Sequence, residues 1–253
     1  MAPLFLVIGG FLAGLCVGSF LVTLATRWPS ARASIVTGRS VCPHCGVTLR
    51  AIDLVPLVSW LALQGRCRRC QGVVPALYPL AELAAGLIGG LSVLLVPLPG
   101  ALIVAGLGWW LLLSSLIDLR TMELPDSLTL ALVLFGLAIT GLSLWPVFGL
   151  AELELIDALA GVIAGYGIFW IINRAYRSWR GRDGLGLGDA KLLAAAGAWN
   201  GGQWLPEICL TASVVTLVIA MATGQIDDRF KAVPFGPGLA LAAWLAFLTR
   251  QTL

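Results

Sequence analysis

Charged side chains are scarce in this chain of 253 residues. Asp, Glu, Lys and Arg together make up 11% of the sequence, whereas hydrophobic residues make up 59%. Soluble domains carry about 25% charged residues, and so few charges could not cover a surface that faces water. The composition therefore excludes an ordinary soluble globular protein, and it predicts an all-α, polytopic membrane helix bundle.

Histidine is almost absent as well. The single histidine, His44, lies between Cys42 and Cys45. This excludes catalysis by a Ser-His triad, and it excludes a metal site built from several histidines.

Basic residues are also missing before the first apolar segment, which is followed at once by Arg27. A secretory signal peptide carries its charges in front, so we expect a retained helix whose N-terminus is outside.

Apolar segments of helical length recur along the whole chain. A membrane-spanning helix takes about 20 residues, and the pattern predicts about eight transmembrane helices. The predicted segments are 4–26, 76–96, 101–119, 127–146, 155–175, 190–201, 204–223 and 234–248. Glycines recur every four residues in several of them, a spacing that allows membrane helices to pack closely. These glycines are Gly10, Gly14 and Gly18, Gly86 and Gly90, and Gly161 and Gly165.

The basic residues are confined to one side of this predicted arrangement. All of the 16 Lys and Arg residues except Arg250 fall in links that the alternation of helices places together, when Arg174 and Lys191, at the ends of predicted segments, are counted with the adjoining link. Cytoplasmic loops carry such an excess, so these links are predicted to be cytoplasmic. The organisation predicted is a first transmembrane helix (1–26), a cytoplasmic cysteine-rich loop domain (27–75) and a transmembrane core (76–253).

Two carboxylates lie at the ends of apolar segments. Asp118 closes one segment and Asp189 opens another, and both belong to the predicted cytoplasmic face. If they meet, they share a proton and can perform the acid–base chemistry of an aspartic protease. Spacing alone leaves two structural alternatives open, because Asp189 suits the N-cap of a helix and Asp118 could pair with Arg120. Asp126 is predicted to cap the helix that follows it.

A glycine-rich stretch precedes Asp189, at residues 184–188. No predicted strand comes before it and no Gly-Lys-Ser/Thr follows, so a nucleotide-binding loop is excluded.

Four of the six cysteines form two C-x-x-C pairs with 21 residues between them, a gap slightly longer than usual for such arrays: Cys42, Cys45, Cys67 and Cys70. Two such turns that converge make a tetrahedral thiolate site for zinc. The ion would be structural, because sulfur fills all four positions. Reduced thiols or a redox pair remain the alternatives, whereas a cytoplasmic location argues against stable disulfides. The arginines beside Cys67 and Cys70 are expected to favour the thiolate forms.

Short motifs along nearly the whole chain resemble the prepilin leader peptidases of type IV pilus and type II secretion systems. They include Gly18-Ser19-Phe20-Leu21, Cys42-Pro43-x-Cys45, Gly65-Arg66-Cys67, Tyr78-Pro79-Leu80 with Glu82, Leu124-Pro125-Asp126 after Asp118, Gly186-Leu187-Gly188-Asp189 and Pro234-Phe235-Gly236-Pro237. The sequence departs from the usual family pattern at Val22, where most members have Asn, and the loop before Cys42 is short.

The resemblance implies a bifunctional enzyme of the bacterial inner membrane, with its active site facing the cytoplasm. Asp118 and Asp189 match the catalytic aspartates, which cleave the basic leader from prepilins or pseudopilins. A second activity, implied in the same way, transfers a methyl group from S-adenosylmethionine to the new N-terminus. The cysteine loop, Gly65 and Glu82 are associated with that activity.

Two other functions remain open at this point. The Gly-x-Gly-Asp turn also resembles presenilin-type intramembrane proteases, although those lack a cysteine loop. A non-enzymatic membrane scaffold with a zinc ribbon would explain the cysteines but not the aspartates. The expected partners are a prepilin or pseudopilin and the lipid bilayer, with no nucleic acid; no oligomeric state is predicted.

Overall fold

The computed structural model of the chain describes residues 3–28, 39–181, 186–222 and 233–252. These residues are mainly helical, and their only β-structure is two isolated antiparallel bridges in the cysteine loop. The nine α-helices of the described ranges are α1 (Leu4–Arg27), α2 (Val58–Ala62), α3 (Leu77–Leu95), α4 (Gly100–Thr121), α5 (Asp126–Gly141), α6 (Leu155–Arg180), α7 (Leu187–Asn200), α8 (Leu205–Ala222) and α9 (Gly236–Thr252).

Each predicted apolar segment corresponds to one of the eight long helices in the described ranges. Five of these, α1, α3, α4, α6 and α8 with its preceding turn, are long and apolar enough to cross a bilayer. The all-α membrane bundle is therefore confirmed, whereas eight full crossings remain a prediction. Two boundaries differ: α5 stops at Gly141, before a short 3-10 turn at Pro146–Phe148, and α6 continues through the arginines that the sequence suggested were in a loop.

Close backbone contact joins α1 to α3. A Cβ atom added at Gly10 would lie 2.8 Å from the carbonyl oxygen of Gly89, and one added at Gly18 would lie 2.7 Å from the Cα of Glu82. Side chains at these positions would push the two helices apart. The predicted packing role of the α1 glycines is therefore confirmed.

The short helix α7 lies inside the protein rather than against lipid. Residues 192–200 are all buried, and α5, α6 and α9 all pack against this helix. Gly165 of α6 faces the backbone of Leu193, with a hypothetical Cβ only 2.6 Å from its carbonyl oxygen. A helix that is apolar on all sides is expected to be buried, which explains why α7 need not span the bilayer by itself.

Arg250 holds the end of the bundle opposite to the cysteine loop. Its guanidinium donates hydrogen bonds to the carbonyl oxygens of Trp199 (2.9 Å) and Ala151 (2.7 Å) and lies 5.3 Å from the ring centre of Trp145. The side chain is buried. The one basic residue that broke the charge asymmetry of the sequence therefore connects α7, α9 and the segment before α6.

The helix ends that carry the predicted site residues lie together at the other end of the bundle. Arg120, near the end of α4, donates a 2.8 Å hydrogen bond to the carbonyl oxygen of Ala25, near the end of α1. Lys191, in the first turns of α7, forms an ion pair with Asp126 at the start of α5. The cysteine loop leaves α1 and enters α3 at this same end.

Replacing Arg250 with alanine is expected to destabilise the bundle. The change leaves two carbonyl oxygens unpaired away from water, and we expect it to lower the free energy of unfolding in detergent by about 2–3 kcal/mol. Arg180→Ala is the matched control, because Arg180 lies at the exposed end of α6 and its loss should cost less than about 0.5 kcal/mol. Equal effects of the two variants would contradict the assigned role of Arg250.

Candidate active site and cysteine cluster

Asp118 lies one turn before the end of α4 and is buried, with 6% of its surface exposed. Its Oδ2 atom accepts a 3.2 Å hydrogen bond from the backbone N–H of Gly236, the first residue of α9. The first N–H groups of a helix have no partner inside the helix, so a carboxylate at this position satisfies one of them. A Cβ atom at Gly236 would lie 2.5 Å from the same oxygen, so only glycine allows this approach.

Asp189 lies in the first turn of α7 and is half-buried. The N-cap of this helix is Gly186, and the Asp189 carboxylate is hydrogen-bonded to the backbone of that glycine. In a capping box, the side chain of the third helical residue bonds back to the backbone N–H of the N-cap residue. Asp189 is that third residue, and Gly186 is the N-cap. The structural alternative, in which Asp189 is itself the N-cap, is therefore not observed. The preceding residues 182–185, with most of the glycine-rich stretch, lie outside the described residues.

The link between α4 and α5 brings the two carboxylates together. Met122 ends α4 in the left-handed conformation (φ 55°), and the chain turns at once toward α5. A Cβ atom at Gly188 would lie 3.0 Å from the Cβ of Leu124, so the start of α7 rests on this link. Asp118 lies within electrostatic range of the Asp189 carboxyl group. Two residues 71 positions apart in the sequence therefore form one acidic site.

Two structural roles suggested by the sequence are not observed. Arg120 binds the carbonyl of Ala25 rather than Asp118, as expected because residues two apart on a helix point in different directions. Asp126 does not cap α5, whose N-cap is Pro125. It pairs instead with Lys191, which fastens the start of α7 next to the acidic site.

The four cysteines of the loop converge as predicted. Their sulfur atoms all lie within 4.8 Å of one another, and Cys42 Sγ lies 3.8 Å from Cys70 Sγ. Tetrahedral coordination with Zn–S bonds of 2.3 Å places sulfur atoms about 3.8 Å apart. The donor set and its spacing therefore fit a structural zinc ion.

Two similar turns build this cluster. Cys42 and Cys67 each begin a turn closed by a backbone bond, from Gly46 N–H and from Gln71 N–H respectively, each 2.9 Å long. The N–H groups of Cys70 and Arg69 bond to the Cys67 sulfur and lower the pKa of this thiol to about 6. A metal ligand must be a thiolate, and here backbone N–H groups favour that form.

The neighbouring arginines do not have the predicted effect on both thiols. The Gly72 N–H lowers the pKa of the Cys70 thiol, but burial and the thiols of Cys45, Cys67 and Cys42 raise it to about 11. Arg68 bonds to Asp53 at 2.8 Å and holds the pKa of that carboxyl group below its usual range. His44 is not a ligand candidate either, since its Nε2 atom lies 3.2 Å from the carbonyl oxygen of Val73 and joins the two turns.

Gly65 and Glu82 lie in the cysteine-loop region, and neither contributes to the acidic site. Gly65 has a left-handed backbone (φ 69°) and lies against the ring of Trp60. Glu82 is buried in α3, and its Oε2 atom accepts a 2.8 Å hydrogen bond from the N–H of Leu57, at the start of α2. The glutamate therefore holds the loop onto the bundle.

Sequence reasoning missed the partners of these groups. The Pro-Phe-Gly-Pro motif at residues 234–237 was noticed only as part of a resemblance, with no role for Gly236. A glycine at the start of an apolar helix was the available signal. Nothing in the linear sequence indicated that Glu82 would meet Leu57, or that Lys191 would meet Asp126.

Comparison with known proteins yields two consecutive family matches. Residues 12–96 match the Bacterial Peptidase A24 N-terminal domain, and residues 105–221 match the Type IV leader peptidase family. A prepilin leader peptidase/N-methyltransferase from Burkholderia pseudomallei (strain 1026b) is 42% identical, over 93% of this chain and 84% of its own length. Proteins of the same name from Aeromonas hydrophila and Stutzerimonas stutzeri are each 37% identical, over 94% and 97% of this chain and 89% and 91% of their own lengths.

The chain belongs to the type IV leader peptidase family. No solved structure matches this leader peptidase chain. The two family matches divide the candidate residues between them. The cysteine cluster, Gly65 and Glu82 lie in the N-terminal match, and both aspartates lie in the second. Gly236, which contacts Asp118, follows the second matched region.

Zinc content can be tested directly. We expect the purified protein to carry about one zinc ion per chain by elemental mass spectrometry, because the four thiolates complete a tetrahedral site. The double variant Cys42→Ser/Cys67→Ser should lose it. Cys16→Ser/Cys209→Ser is the control, since those thiols lie in helices outside the cluster. Retention of zinc by the first variant, or a metal-free wild type after chelator-free purification, would overturn the assignment.

Proposed function

We propose that this chain is a prepilin leader peptidase that also methylates the N-terminus it creates. The proximity of Asp118 and Asp189 is the observation that supports the peptidase activity, because it provides two interacting carboxylates beside a helix N-terminus. Family membership and the names of the relatives support both activities.

The proposed reaction uses the aspartates as one acid–base unit. Two neighbouring carboxylates avoid a double negative charge by sharing a proton. The ionised partner accepts a proton from a water molecule as that water attacks the scissile carbonyl, and the protonated partner donates to the carbonyl oxygen. Proton return to the leaving nitrogen then releases the leader. Gly236 N–H and the Gly186 backbone hold one carboxylate each in place.

The location of the acidic site suits a substrate with a basic leader and an apolar helix. We propose an inner-membrane protein whose aspartates and cysteine loop face the cytoplasm, as the distribution of basic residues favours. The apolar part of the substrate can then lie in the bilayer while the leader remains in water. We also propose three parts of the chain: a first transmembrane helix (1–26), a cytoplasmic cysteine-rich loop domain (27–75) and a transmembrane peptidase core (76–253).

The two alternative functions explain less of the molecule. A presenilin-like protease requires no cysteine cluster, yet the four sulfurs converge within the region that matches a leader-peptidase N-terminal domain. A zinc-ribbon scaffold requires no buried carboxylate, yet Asp118 is buried and lies within electrostatic range of a second acid.

The proposed function involves two non-protein groups, a zinc ion and S-adenosylmethionine. Zinc would be held by Cys42, Cys45, Cys67 and Cys70 and would stabilise the fold of the loop, with no open position for a reacting water. S-adenosylmethionine would supply an electrophilic methyl group for the new N-terminal amine.

Removal of either aspartate should abolish leader cleavage. Asp118→Asn and Asp189→Asn each eliminate the shared proton, and we expect the cleavage rate of a purified prepilin to fall by at least 10²–10⁴-fold. Gel or mass analysis of the product measures this directly. Asp157→Asn is the control, because this exposed acid lies in the first turn of α6, at the helix end predicted to face the other side of the membrane. Near-normal cleavage by either site variant would refute the proposed pair.

Alanine at position 236 should impair catalysis without unfolding the protein. Its methyl group would occupy the space of Asp118 Oδ2, and a displacement of about 1 Å can cost on the order of 10²-fold in rate. We expect kcat to fall while KM for the prepilin changes little. Gly106→Ala in α4 is the control, since a Cβ there meets no atom within 4 Å. Equal kcat values for the two variants would show that the Asp118–Gly236 contact is not needed.

A further inference from the structure

The cysteine loop carries a row of exposed apolar side chains. A cavity of about 560 Å³ lies between this loop and the ends of α1 and α3, and Asp53, Ser59 and Trp60 line it from the loop side. Other side chains of the same segment do not line the cavity and are between 41% and 66% exposed. They recur at every third residue, a spacing that places them on one face. This apolar stripe consists of Ile52, Val55, Val58 and Leu61.

The charged groups around the stripe lie on the cavity side. Asp53 is the one charged residue in the sequence from 51 to 62, and its side chain is only 10% exposed and paired with Arg68. The arginines that flank the segment also line the cavity: Arg50, Arg66, Arg68 and Arg69. The outer surface of the segment is therefore apolar. An exposed apolar patch of this kind marks a contact with lipid or with another protein.

The depth of the stripe follows from its attachment to α3. The 19 residues of α3 span about 28 Å, and the hydrocarbon core of a bilayer is about 30 Å thick. A crossing by α3 therefore uses the helix from end to end. Glu82 lies five residues after Leu77, the first residue of α3, which places it about 7–8 Å inside the edge of the core. Its Oε2 atom accepts the 2.8 Å hydrogen bond from Leu57 N–H, so the start of α2 lies at nearly the same depth.

The backbone of this segment is suited to a place without water. The N–H group of Leu57 is bonded to Glu82. Ser59 N–H donates to the carbonyl oxygen of Val55 (3.1 Å), and Leu61 N–H donates to that of Leu57 (3.0 Å). Unpaired amides are costly in hydrocarbon. Because these amides are bonded within the protein, the stripe can enter lipid without exposing them.

We propose that the apolar stripe lies in the lipid bilayer, in the leaflet next to the cysteine loop, with α2 as an in-plane interfacial helix. Helices of this kind bury their apolar face about 5–10 Å into the membrane, which matches the depth set by Glu82. The stripe is then continuous with the exposed face of α3 at the same level, where Leu80 and Leu83 are 62% and 39% exposed. The loop rests on the membrane rather than standing free in water. Neither proposed activity is needed for this placement.

Fluorescence quenching by lipid tests the placement. An environment-sensitive fluorescent amino acid replaces Val58 in the full-length protein. The protein is reconstituted in vesicles of phosphatidylethanolamine and phosphatidylglycerol, with or without bromine atoms on the upper part of the acyl chains. We expect brominated lipid to lower the emission about twofold, because the side chain lies in the upper acyl region.

Replacement of Val73 by the same fluorescent amino acid is the matched control. This valine is 64% exposed, against 62% for Val58, but it precedes the first residue of α3 and lies on the water side of that helix end. We expect brominated lipid to change its emission little and iodide in the water to quench it. Iodide should quench the probe at position 58 much less.

The role of Glu82 as the anchor of α2 has its own matched pair. Glu82→Gln keeps a side-chain oxygen that can accept the Leu57 N–H, whereas Glu82→Ala does not. With the probe at position 58, we expect Glu82→Gln to retain the quenching by brominated lipid and Glu82→Ala to lose most of it. Loss in Glu82→Gln, or full retention in Glu82→Ala, would overturn the anchoring role.

Two results would overturn the lipid contact itself. One is equal quenching at positions 58 and 73, whether by lipid or by iodide. The other is emission at position 58 that ignores bromine but changes when the protein is diluted into excess lipid, because a second copy of the chain would then cover the stripe. A probe that replaces Leu61, on the same stripe, repeats the comparison, so that the conclusion does not depend on one substitution.

Discussion

The contact between the Asp118 carboxylate and the first amide of α9 is the interaction on which the acidic site depends. An unpaired helix N-terminus needs an acceptor, and a carboxylate at a buried helix end needs a donor. Each group satisfies the other at 3.2 Å. Because a side chain at Gly236 would collide with Asp118, the same contact fixes which residue can begin α9. The acid is thereby held in place before any substrate arrives.

The central position of α7 serves the second acid in a similar way. This helix is buried within the protein, and glycines of α6 let it approach closely. Arg250 binds the last turns of α7 at one end, and the ion pair between Lys191 and Asp126 fastens the other. Asp189 therefore belongs to a helix with side-chain contacts at both ends, although its residues alone are too few to cross a bilayer. Rigid support of this kind is what acid–base chemistry requires of its side chains.

The cysteine loop forms a second functional region at the same end of the bundle. Its two turns bring four sulfurs together, and Glu82 holds the loop to α3 through Leu57. The space left beneath the loop is the cavity that borders Trp60 and Glu82. A metal that stabilised the turns would also shape this cavity.

Periodic and compositional features were predictable because they are local. Scarce charge and long apolar runs indicated a membrane bundle, basic residues indicated which links share a side, and paired C-x-x-C turns indicated a thiolate cluster. The same reasoning placed the arginines after residue 174 in a loop, whereas α6 continues to Arg180, because a helix can extend past the apolar run into water. It also assigned a cap to Asp126 and left one open as an alternative for Asp189, whereas the N-caps are Pro125 and Gly186, since capping depends on where the backbone turns.

The sequence by itself determined that this protein is a helical membrane protein with two acids at helix ends and four converging cysteines, because spacing and hydropathy act along the chain. Only the tertiary structure decided that Asp118 contacts Gly236 and that Gly65 lies against Trp60. It also decided that Asp126 forms an ion pair with Lys191 instead of capping a helix. Those contacts join residues that are separated in the chain or sit on opposite sides of a turn. They depend on how closely whole helices and loops can approach, which no local pattern records.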